Sequence, residues 1–493
     1  MFWHFTEKLP YLGETLLVYS GFFIAVGGDS LNSSFKILRF FIYGISIALS
    51  PLVTIAAVDA DPARLLIKRN AEFHKEIIKV SESVYTAVGY AVSTVSMVVG
   101  AEGIVIIDTG LDVESSREIR ADFRRIIDKP VKAIIFTHGH PDHTRGASAF
   151  MDSDDVQIWA REGFPHEQNV LESAGILIQK SRGKKQAGFV LSPKQRINNG
   201  IAKAFWPNRK GGIFGADNMI APTHLFSSKR RKVNLAGIDI ELVAATGETQ
   251  DGIYVWLKTE RILFAGDHFY KSWPNLYALR GSPYRDIRAW ANAVDQMMQQ
   301  NAAAMVGGHT RPIVGDKKVN ETLTNYRDAI RFLFNKTVEG INKGMTPNEL
   351  VSYVALPEKY NNIDYLRPYY GHPEWAIRAI FSGYLGWFDG NATNLFPFSD
   401  KQEAQRISKI SGGPDALGEL IVEALDEKDY QWAARLCDYL LALKPQNRAA
   451  MLHKADALTA MAEARLTATA RNYYLSSAVE LRKKARELTS DNN

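Results

Sequence analysis

The first strongly patterned part of the chain, from Glu76 to Ile107, consists of short runs of apolar, mostly β-branched residues separated by Ser, Gly and acidic residues. Runs of this kind are typical of strands that follow one another in a meander. The next apolar residues, from Ser115 to Ile127, recur at helical spacing, and the run from Val131 to Phe136 is again mostly apolar. The pattern therefore predicts a group of strands, then a helix, then a buried strand.

A long segment with few strand signals follows, from Ala160 to Val233. Insertions of this length are usually functional, often as a lid or a wall of the substrate site. Beyond it the alternating and continuous apolar runs return. They predict strands at Leu235 to Ala244, Ile253 to Leu257, Ile262 to Ala265 and Ala303 to Val306, and a helix at Ala289 to Gln300.

Beyond Asp316 the apolar residues keep helical spacing. The helix pair on either side of Pro445 is similar to tetratricopeptide helices, which bury their apolar faces only against neighbours. The sequence thus predicts an α/β domain followed by an all-α domain. The last four predicted helices are Pro414 to Ala424, Tyr430 to Leu443, Asn447 to Ala462 and Thr469 to Leu488.

The loop Thr137-His138-Gly139-His140-Pro141-Asp142-His143 lies directly after the predicted strand Val131 to Phe136. Imidazole nitrogen and carboxylate oxygen suit zinc and neighbouring first-row metals. The alternation lets one loop face two adjacent ions, with His138 and His140 on one and Asp142 and His143 on the other. A helix-capping loop with unrelated histidines is the alternative, but three of the chain's 11 histidines in one such loop argue against it.

This His-x-His-x-Asp-His loop, together with Asp108-Thr109-Gly110 at the end of an earlier strand, resembles the metallo-β-lactamase superfamily. Two further stretches, Asn275 to Gly281 and Tyr384 to Asn391, are similar to segments of its alkyl sulfatase branch. The resemblance covers residues 70 to 488. It implies an α/β fold, in which a metallo-β-lactamase αβ/βα sandwich with metals at one edge precedes an all-α helical dimerisation domain.

The resemblance also implies the remaining ligands of a two-zinc site. Glu248, Asp267 and His309 each follow an apolar run, where the family has its later ligands. The alkyl sulfatase branch has a glutamate at the first of these positions, where most of the superfamily has a histidine. Asp267 would bridge the ions, and Asp142 and Asp267 are the expected catalytic carboxylates. The full expected set, which would hold two Zn²⁺ per chain, is His138, His140, Asp142, His143, Glu248, Asp267 and His309.

Alternatives stay open beside these ligands. Asp251 competes with Glu248, which we prefer because its 19-residue separation from Asp267 matches the family spacing. His268 is not a regular ligand in the family, so we expect it to line the pocket or to lie on the surface. Asp108 either accepts a hydrogen bond from the second ring nitrogen of a ligand histidine, which would fix its tautomer, or merely starts a turn.

Asn275, Arg280 and Arg285 match family positions near the sulfate and are the expected substrate-binding residues. A guanidinium offers a fixed fork of donors to a tetrahedral oxyanion, whereas a lysine offers a point charge. The alternative is that both arginines make surface ion pairs with Asp286 or Glu260.

Composition narrows the choice of partners. With 493 residues the chain is too long for one ordinary core, and 46% hydrophobic residues with 23% charged residues are typical of globular proteins. The net charge of +5 is modest, so the basic clusters at Lys180 to Lys185 and Lys229 to Lys232 are interpreted as solvated surface charge, and no nucleic-acid partner is expected. Cys437 is the only cysteine and lies in an apolar helical run. It excludes an intrachain disulfide and zinc-cysteine sites, and we expect a buried thiol.

Residues 1–60 have the layout of a secretory signal or membrane anchor. Lys36 and Arg39 precede the uncharged run Phe40 to Val58, and small residues follow. That run is also long enough to span a bilayer. We expect a periplasmic or exported protein, either cleaved or anchored through residues 40–58. A buried N-terminal helix is the alternative, and the earlier apolar run Thr15 to Gly28 is explained if translation starts further down.

The predicted domains are the signal-like or anchor segment 1–60, a catalytic metallo-β-lactamase domain at 70–345 and a helical domain at 346–490. The resemblance implies a homodimer that forms through the helical domain. Family members often continue into a sterol-carrier-like domain, which is not expected here because residues up to Asn493 leave no room for it.

Together these observations predict a zinc-dependent alkyl sulfatase, a sulfuric ester hydrolase that converts esters such as dodecyl sulfate to alcohol and sulfate. One alternative is another hydrolase of the superfamily, acting on a lactone, a β-lactam or a phosphodiester. The other is a catalytically silent envelope protein that keeps the fold for assembly, and the complete ligand set argues against it.

Overall fold

The computed structural model describes residues 61–203 and 219–490. The chain separates into two units, Met1–Val58 and Asp59–Asn493, and all described residues belong to the second. The predicted signal-like segment, residues 1–60, lies outside the described residues. Among the helices of the described part, none is both long enough and apolar enough to cross a membrane.

The first sheet has seven strands in chain order: β1 (Glu76–Lys79), β2 (Val84–Val88), β3 (Val95–Val99), β4 (Ile104–Ile107), β5 (Val131–Ile135), β6 (Gln157–Arg161) and β7 (His224–Phe226). The strands from β1 to β4 pair antiparallel, which confirms the predicted meander. The strands from β4 to β7 pair in parallel, so the chain must cross over between them through helices or loops.

The second sheet has six strands, which are β8 (Arg230–Leu235), β9 (Ile238–Ala244), β10 (Ile253–Leu257), β11 (Ile262–Gly266), β12 (Ala304–Gly307) and β13 (Ile313–Val314). Neighbouring strands pair antiparallel except for β11 and β12, which are parallel. β9, β11 and β12 therefore run in one direction and end at the same edge of the sheet.

The two sheets pack face to face. Val105 and Ile135 of the first sheet share a buried core with Val255 and Phe264 of the second. Strands such as β10 and β11 are buried along their whole length because both faces are covered, which explains their continuous apolar sequences. This confirms the expected sandwich.

The described α-helices are α1 (Pro62–Arg69), α2 (Val113–Ile126), α3 (Pro141–Thr144), α4 (His166–Ser173), α5 (Ile178–Ala187), α6 (Ile287–Met298), α7 (Asp316–Asn342), α8 (Pro347–Tyr353), α9 (Glu358–Asn361), α10 (Pro373–Leu385), α11 (Asp400–Ser411), α12 (Pro414–Asp426), α13 (Tyr430–Leu443), α14 (Arg448–Glu463) and α15 (Ala468–Ser490). Helix α2 covers the outer face of the first sheet through Phe123, and α6 covers the second through Trp290. The sandwich is therefore αβ/βα.

The helical region has two cores. Leu350 of α8 and Ile377 of α10 belong to the same buried cluster as Trp290 and Tyr326, so these helices pack on the sandwich. The helices from α11 to α15 contribute to a second buried cluster, which includes Leu436 of α13 and Ala478 of α15. The four predicted C-terminal helices are confirmed as α12 to α15, and the boundary at residues 345 and 346 stays a prediction.

The segment from Ala160 to Val233 differs from the expectation of few strands. Its described part contains α4, α5 and β7, and the basic cluster at Lys229 to Lys232 opens β8. β8 is an edge strand, and its residues Arg230, Arg231 and Lys232 are exposed. Edge strands commonly carry charged side chains that prevent pairing with other chains, so the charged sequence concealed a strand.

Candidate metal centre

All the expected ligands lie at the edge of the sandwich where parallel strands end. The loop His138 to His143 follows β5, Glu248 follows β9, Asp267 follows β11 and His309 follows β12. The carboxyl ends of such strands are where open α/β sheets bind ligands. Backbone hydrogen bonds tie the two sheets together here, from Ile253 N to Thr137 O (2.8 Å) and from Thr94 N to Gly308 O (2.8 Å).

His138 and His140 face the same pair of carboxylates. Nδ1 of His140 lies 3.4 Å from Oε2 of Glu248 and 2.9 Å from Nε2 of His138. Nε2 of His138 lies 3.8 Å from Oδ2 of Asp267. All four side chains are buried, and ligand atoms of His140, Glu248 and Asp267 lie within 4.8 Å of one another. This arrangement is the one expected around a first ion.

Asp142, His143 and His309 form the second group, again with ligand atoms within 4.8 Å. Oδ2 of Asp142 lies 3.6 Å from Nε2 of both histidines. Oδ1 of Asp267 lies 3.3 Å from Nε2 of His143 and 3.2 Å from Nε2 of His309. Because Asp267 lies beside histidines of both groups, it occupies the position expected of a bridging carboxylate.

The second ring nitrogens of the histidines are held by neighbours. Nδ1 of His143 lies 2.7 Å from Oδ2 of Asp108. The carboxylate of Asp108 also accepts two hydrogen bonds from Thr137, from its backbone N to Oδ1 and from its hydroxyl to Oδ2, each at 2.8 Å. Nδ1 of His309 lies 2.7 Å from the carbonyl oxygen of Val92. These contacts orient Nε2 of both histidines toward the site. Asp108 thus does more than start a turn.

Glu248 and Asp251, which the sequence left as competitors, lie in different surroundings. Oδ2 of Asp251 accepts a hydrogen bond from the backbone N of His166 at 3.2 Å. Among the described residues, Glu248 belongs to a cluster of possible metal ligands and Asp251 does not. His268 is buried, with its ring nitrogens 2.8 Å and 3.0 Å from the carbonyl oxygens of Ala265 and Ala245. It lines a small cavity beside Glu248 and is not a surface residue.

Neither arginine makes the surface ion pairs that were the alternative. Nη1 of Arg285 lies 2.8 Å from Oε2 of Glu248, and Arg280 pairs with Glu167 of α4. Nη2 of Arg280 lies 3.2 Å from Nε2 of His140. Both guanidinium groups therefore adjoin the first ligand group. The side chain of Arg285 is only 1% exposed and that of Arg280 is 19% exposed, so Arg280 is the one that solvent can reach.

Asn275 supports Arg285. Its backbone carbonyl accepts a hydrogen bond from Nη1 of Arg285 at 2.6 Å. Its side-chain amide, oriented so that both ends are satisfied, donates to the carbonyl oxygen of Tyr277 at 2.8 Å and accepts from Arg285 at 3.3 Å. The described contacts of Asn275 are therefore with protein groups, and its contact with sulfate stays a prediction.

Two family models match the sequence. The metallo-beta-lactamase superfamily model covers residues 89–309, and the alkyl sulfatase dimerisation model covers residues 346–484. The chain is 35% identical, over 396 residues, to a linear primary-alkylsulfatase of Pseudomonas sp. (strain ATCC 19151), and the match covers 78% of this chain and 73% of that protein. The chain belongs to the alkylsulfatase family of the metallo-beta-lactamase superfamily.

Two further proteins that resemble this chain support its assignment to the alkylsulfatases. An (R)-specific secondary-alkylsulfatase of Pseudomonas sp. is 29% identical over 422 residues, which are 82% of this chain and 62% of that protein. The solved structure of a stereoselective inverting sec-alkylsulfatase from Pseudomonas sp. superimposes with a TM-score of 0.79 at 27% identity, covering 86% of this chain and 69% of that one. The family resemblance inferred from the sequence is confirmed, and the chain spans less than two thirds of the secondary-alkylsulfatase.

The superfamily implies a metal, and the residues of this alkylsulfatase fit one. Nε2 of His143 and Oδ1 of Asp267 are buried and have no hydrogen-bond partner within the described ranges. A cavity of about 10 Å³, roughly the space of one water-sized sphere, lies between His138, Glu248 and Asp267. Nitrogen and oxygen donors of this kind suit divalent first-row metals. The family and the donor set together indicate a metal cofactor.

The electrostatics agree with a cation site. Burial lowers the pKa of His138 well below its usual value, helped by the neighbouring His143 and His140, so its ring is neutral, as a ligand must be. Burial also opposes protonation of His143, but the carboxylates of Asp267 and Asp108 outweigh it and raise its pKa well above 6.5. The same carboxylates would stabilise a metal cation, which competes with the proton for the ring nitrogen.

The sequence analysis missed two residues of the alkylsulfatase site. Glu167 contacts His140 and both arginines, and the hydroxyl of Tyr270 donates to Oε1 of Glu248 at 2.9 Å. Glu167 lies in the insertion, where only basic clusters were noted. A signal existed, because α4 follows the C-terminal end of β6, which is parallel to the ligand-bearing β5. The roles of all predicted site residues stay predictions.

Proposed function

We propose that this alkylsulfatase family member hydrolyses alkyl sulfate esters to alcohol and sulfate with two Zn²⁺ ions. The observation that carries the proposal is the pair of arginines beside a complete set of metal-binding side chains, at a distance of 3.2 Å between Arg280 and His140. A set of ligands alone would serve many esters, whereas guanidinium groups select a tetrahedral anion. The relatives named as linear primary-alkylsulfatase and (R)-specific secondary-alkylsulfatase support the same substrate class.

In this proposal His138, His140, Glu248 and Asp267 hold one ion, and Asp142, His143, His309 and Asp267 hold the other. Two such cations, when bound, lower the pKa of water toward neutral and neutralise developing negative charge. Asp267 fixes the separation of the two sites, and Asp108 keeps His143 in one tautomer. The side chain of Asp142 is 22% exposed, so it is the carboxylate of its group that solvent can reach.

The arginines hold the substrate. Arg280 is partly exposed and donates to the sulfate oxygens, which keeps the ester sulfur beside the ligand groups. Arg285 is covered and adds positive charge, with Nε and Nη2 that have no hydrogen-bond partner in the described part of the chain. Asn275 keeps Arg285 in place through its backbone carbonyl.

A substrate panel tests this function. The purified full-length protein should turn over decyl or dodecyl sulfate and leave phosphate diesters, lactones and β-lactams essentially untouched. Elemental analysis should find about two zinc ions per chain, the occupancy of a bridged two-metal site. Turnover of another class of ester but of no sulfate ester would contradict the proposal, as would full activity in a metal-free preparation.

We also propose that the chain forms a homodimer through its helical region. The match of residues 346–484 to the alkyl sulfatase dimerisation model supports this proposal. Exposed large apolar side chains are concentrated between the end of α10 and the end of α11, namely Tyr384 (55% exposed), Leu385 (53%), Trp387 (72%), Phe396 (94%), Phe398 (56%) and Ile410 (83%). Apolar side chains that are exposed in such numbers are typical of protein interfaces.

Light scattering tests the assembly. The wild type should be dimeric at micromolar concentration, and Phe396→Glu should shift it toward monomer because a charge would be buried in the interface. Val314→Glu introduces the same charge at another exposed apolar position, on β13, and should stay dimeric. A monomeric wild type would show that the helical region has another role.

The localisation remains a proposal that rests on Lys36 to Ala60. We propose export, with the N-terminal segment either cut near Ala57 or Ala60 or left in the membrane. Cell fractionation followed by N-terminal sequencing tests it, and recovery of an uncut chain from the cytoplasm would contradict it.

A further inference from the structure

Glu167 places one carboxylate against three functional side chains. Its Oε1 accepts hydrogen bonds from Nη1 of Arg280 and, at 3.0 Å, from Nε2 of Gln179. Its Oε2 lies 3.2 Å from Nε2 of His140 and 3.7 Å from Nη2 of Arg285. The residue is only 5% exposed. A buried carboxylate that faces two guanidinium groups is ionised, because it is paired with both.

This carboxylate changes the charge that a substrate meets. Arg280 and Arg285 contribute two positive charges, and Glu248 already pairs with Arg285 at 2.8 Å. Glu167 cancels one further charge directly beside Arg280, the more exposed of the two arginines. Glu167 therefore lowers the positive charge around Arg280 by one unit, while the N–H donors of Arg280 remain in position.

The charge balance matters because tetrahedral esters differ in charge. An alkyl sulfate carries one negative charge, whereas a phosphate monoester carries about 1.5 to 2 near neutral pH. Any fixed negative charge in the site repels a dianion about twice as strongly as a monoanion at the same distance. Removing one fixed negative charge therefore strengthens the binding of the dianion more than that of the monoanion, whatever positive charge the rest of the site carries.

We propose that Glu167 is a specificity-determining residue that makes the site select monoanionic sulfate esters over dianionic phosphate esters of the same shape. The inference rests on the proposed function and deepens it. Glu167 need not touch the substrate, since it acts through the net charge around Arg280. A purely structural role, in which Glu167 only holds the arginines in place, predicts a different result.

The test uses two ligands that are not hydrolysed, decyl sulfonate as the monoanion and decyl phosphonate at alkaline pH as the dianion. Calorimetry on the full-length, metal-loaded protein gives their affinities without turnover. Glu167→Gln keeps the side-chain shape but removes the charge, and we expect the ratio of phosphonate to sulfonate affinity to rise by about tenfold. Glu167→Asp keeps the charge, so its ratio should stay near that of the wild type even if both affinities fall.

Two further variants make the test independent of any single substitution. Glu172→Gln removes the same charge from an exposed position on α4 and should leave the ratio unchanged. Gln179→Glu adds a carboxylate beside Glu167 at a partly exposed position, and it should lower the ratio. Metal content and the melting temperature of each variant show whether the site is intact, and an unfolded Glu167→Gln leaves the opposite-sign variant to decide.

The outcomes separate the two proposals. An unchanged ratio in both Glu167→Gln and Gln179→Glu overturns the role of Glu167, and so does the absence of binding of either ligand to a wild type that turns over decyl sulfate. A wild type that turns over no sulfate ester overturns the proposed function instead, whatever the ratio.

Discussion

Gly308 shows how closely single residues are fitted around the bridging carboxylate. A Cβ on Gly308 would lie 2.0 Å from Oδ1 of Asp267, far inside van der Waals contact. The oxygen that would have to move is the one between His143 and His309. The absence of a side chain at this position is therefore part of the metal site.

Gly308→Ala should lower metal affinity, because Asp267 must rotate away from the second ligand group. We expect a loss of about 10- to 100-fold, the size typical of disturbed support around metal ligands. Titration of the apoprotein with zinc measures it. Gly418→Ala is the control, since Gly418 lies in α12 with no atom within 4 Å of its added Cβ. Equal zinc affinity in the two variants would contradict the prediction.

Arg280→Ala should lower kcat/KM for dodecyl sulfate. The drop should correspond to a loss of transition-state stabilisation of about 1.5 to 3 kcal/mol, the contribution of a charge-assisted hydrogen bond. The metal content should not change, because Arg280 contacts His140 only through a ring nitrogen that faces away from the ligand group. Arg280→Lys should recover part of the loss, since a lysine supplies charge but no fork. Steady-state kinetics would disprove the role if Arg280→Ala behaved like the wild type with its metals in place.

At the residue level, the sequence allowed the prediction of those site residues that neighbouring residues in the chain mark out. The loop from His138 to His143 was predicted from its own pattern after an apolar run, whereas Glu248, Asp267 and His309 were implied by the family resemblance. Glu167 could not be predicted from the local sequence, because its partners Arg280 and His140 are 113 and 27 positions away in the chain. A contact of that kind depends on how the insertion folds back over the site.

At the level of elements, the same contrast holds. Strands buried on both faces, such as β10 and β11, were predicted with nearly their observed ends because continuous apolar runs leave little choice. The edge strand β8 was missed except for its last residue, Leu235, because its exposed arginines and lysine are typical of solvated loops. Helices α4 and α5 were missed for a related reason, since few of their side chains are buried.

The turn between α4 and α5 carries the apolar side chains Ile176 (47% exposed), Leu177 (70%) and Ile178 (62%). The next residue, Gln179, donates to Glu167 at 3.0 Å and to the carbonyl oxygen of Gly281 at 3.3 Å, so the turn adjoins the arginine site. This agrees with the interpretation of the insertion as a wall of the substrate site. We therefore expect the alkyl chain of the substrate to lie on these apolar side chains.

Replacing Ile176, Leu177 and Ile178 together by Ser should weaken long substrates more than short ones. Each methylene buried on the protein contributes about 0.8 kcal/mol, so the rise of kcat/KM with chain length should flatten from hexyl to dodecyl sulfate. Val314→Ser removes an exposed apolar side chain elsewhere and should keep the wild-type dependence. A uniform loss at every chain length would assign these residues another role.

At the scale of the whole molecule, the helices after α10 have their own core, in which Cys437 is fully buried. Burial raises the pKa of this thiol to about 12. At mildly alkaline pH it is therefore protonated as well as covered, and both properties prevent reaction with thiol reagents. The expectation of a buried thiol is confirmed.

Cys437 should accordingly report on the integrity of the helical core. In the native protein the reaction with Ellman's reagent should be slow and should accelerate when denaturant exposes the helices. Comparing the labelling rate with the loss of activity tells whether the two cores unfold together. Immediate stoichiometric labelling of the native protein would contradict the burial.

The metal ligands come from both sheets, with His138, His140 and His143 on the first and Glu248, Asp267 and His309 on the second. An ion held by both groups joins two halves of the sequence that are otherwise linked at this edge by a few backbone hydrogen bonds. Any species that binds only the folded chain adds to its stability by mass action. The supply of metal would then control how much folded protein survives in a cell, and starvation for the metal would remove the protein as well as its turnover.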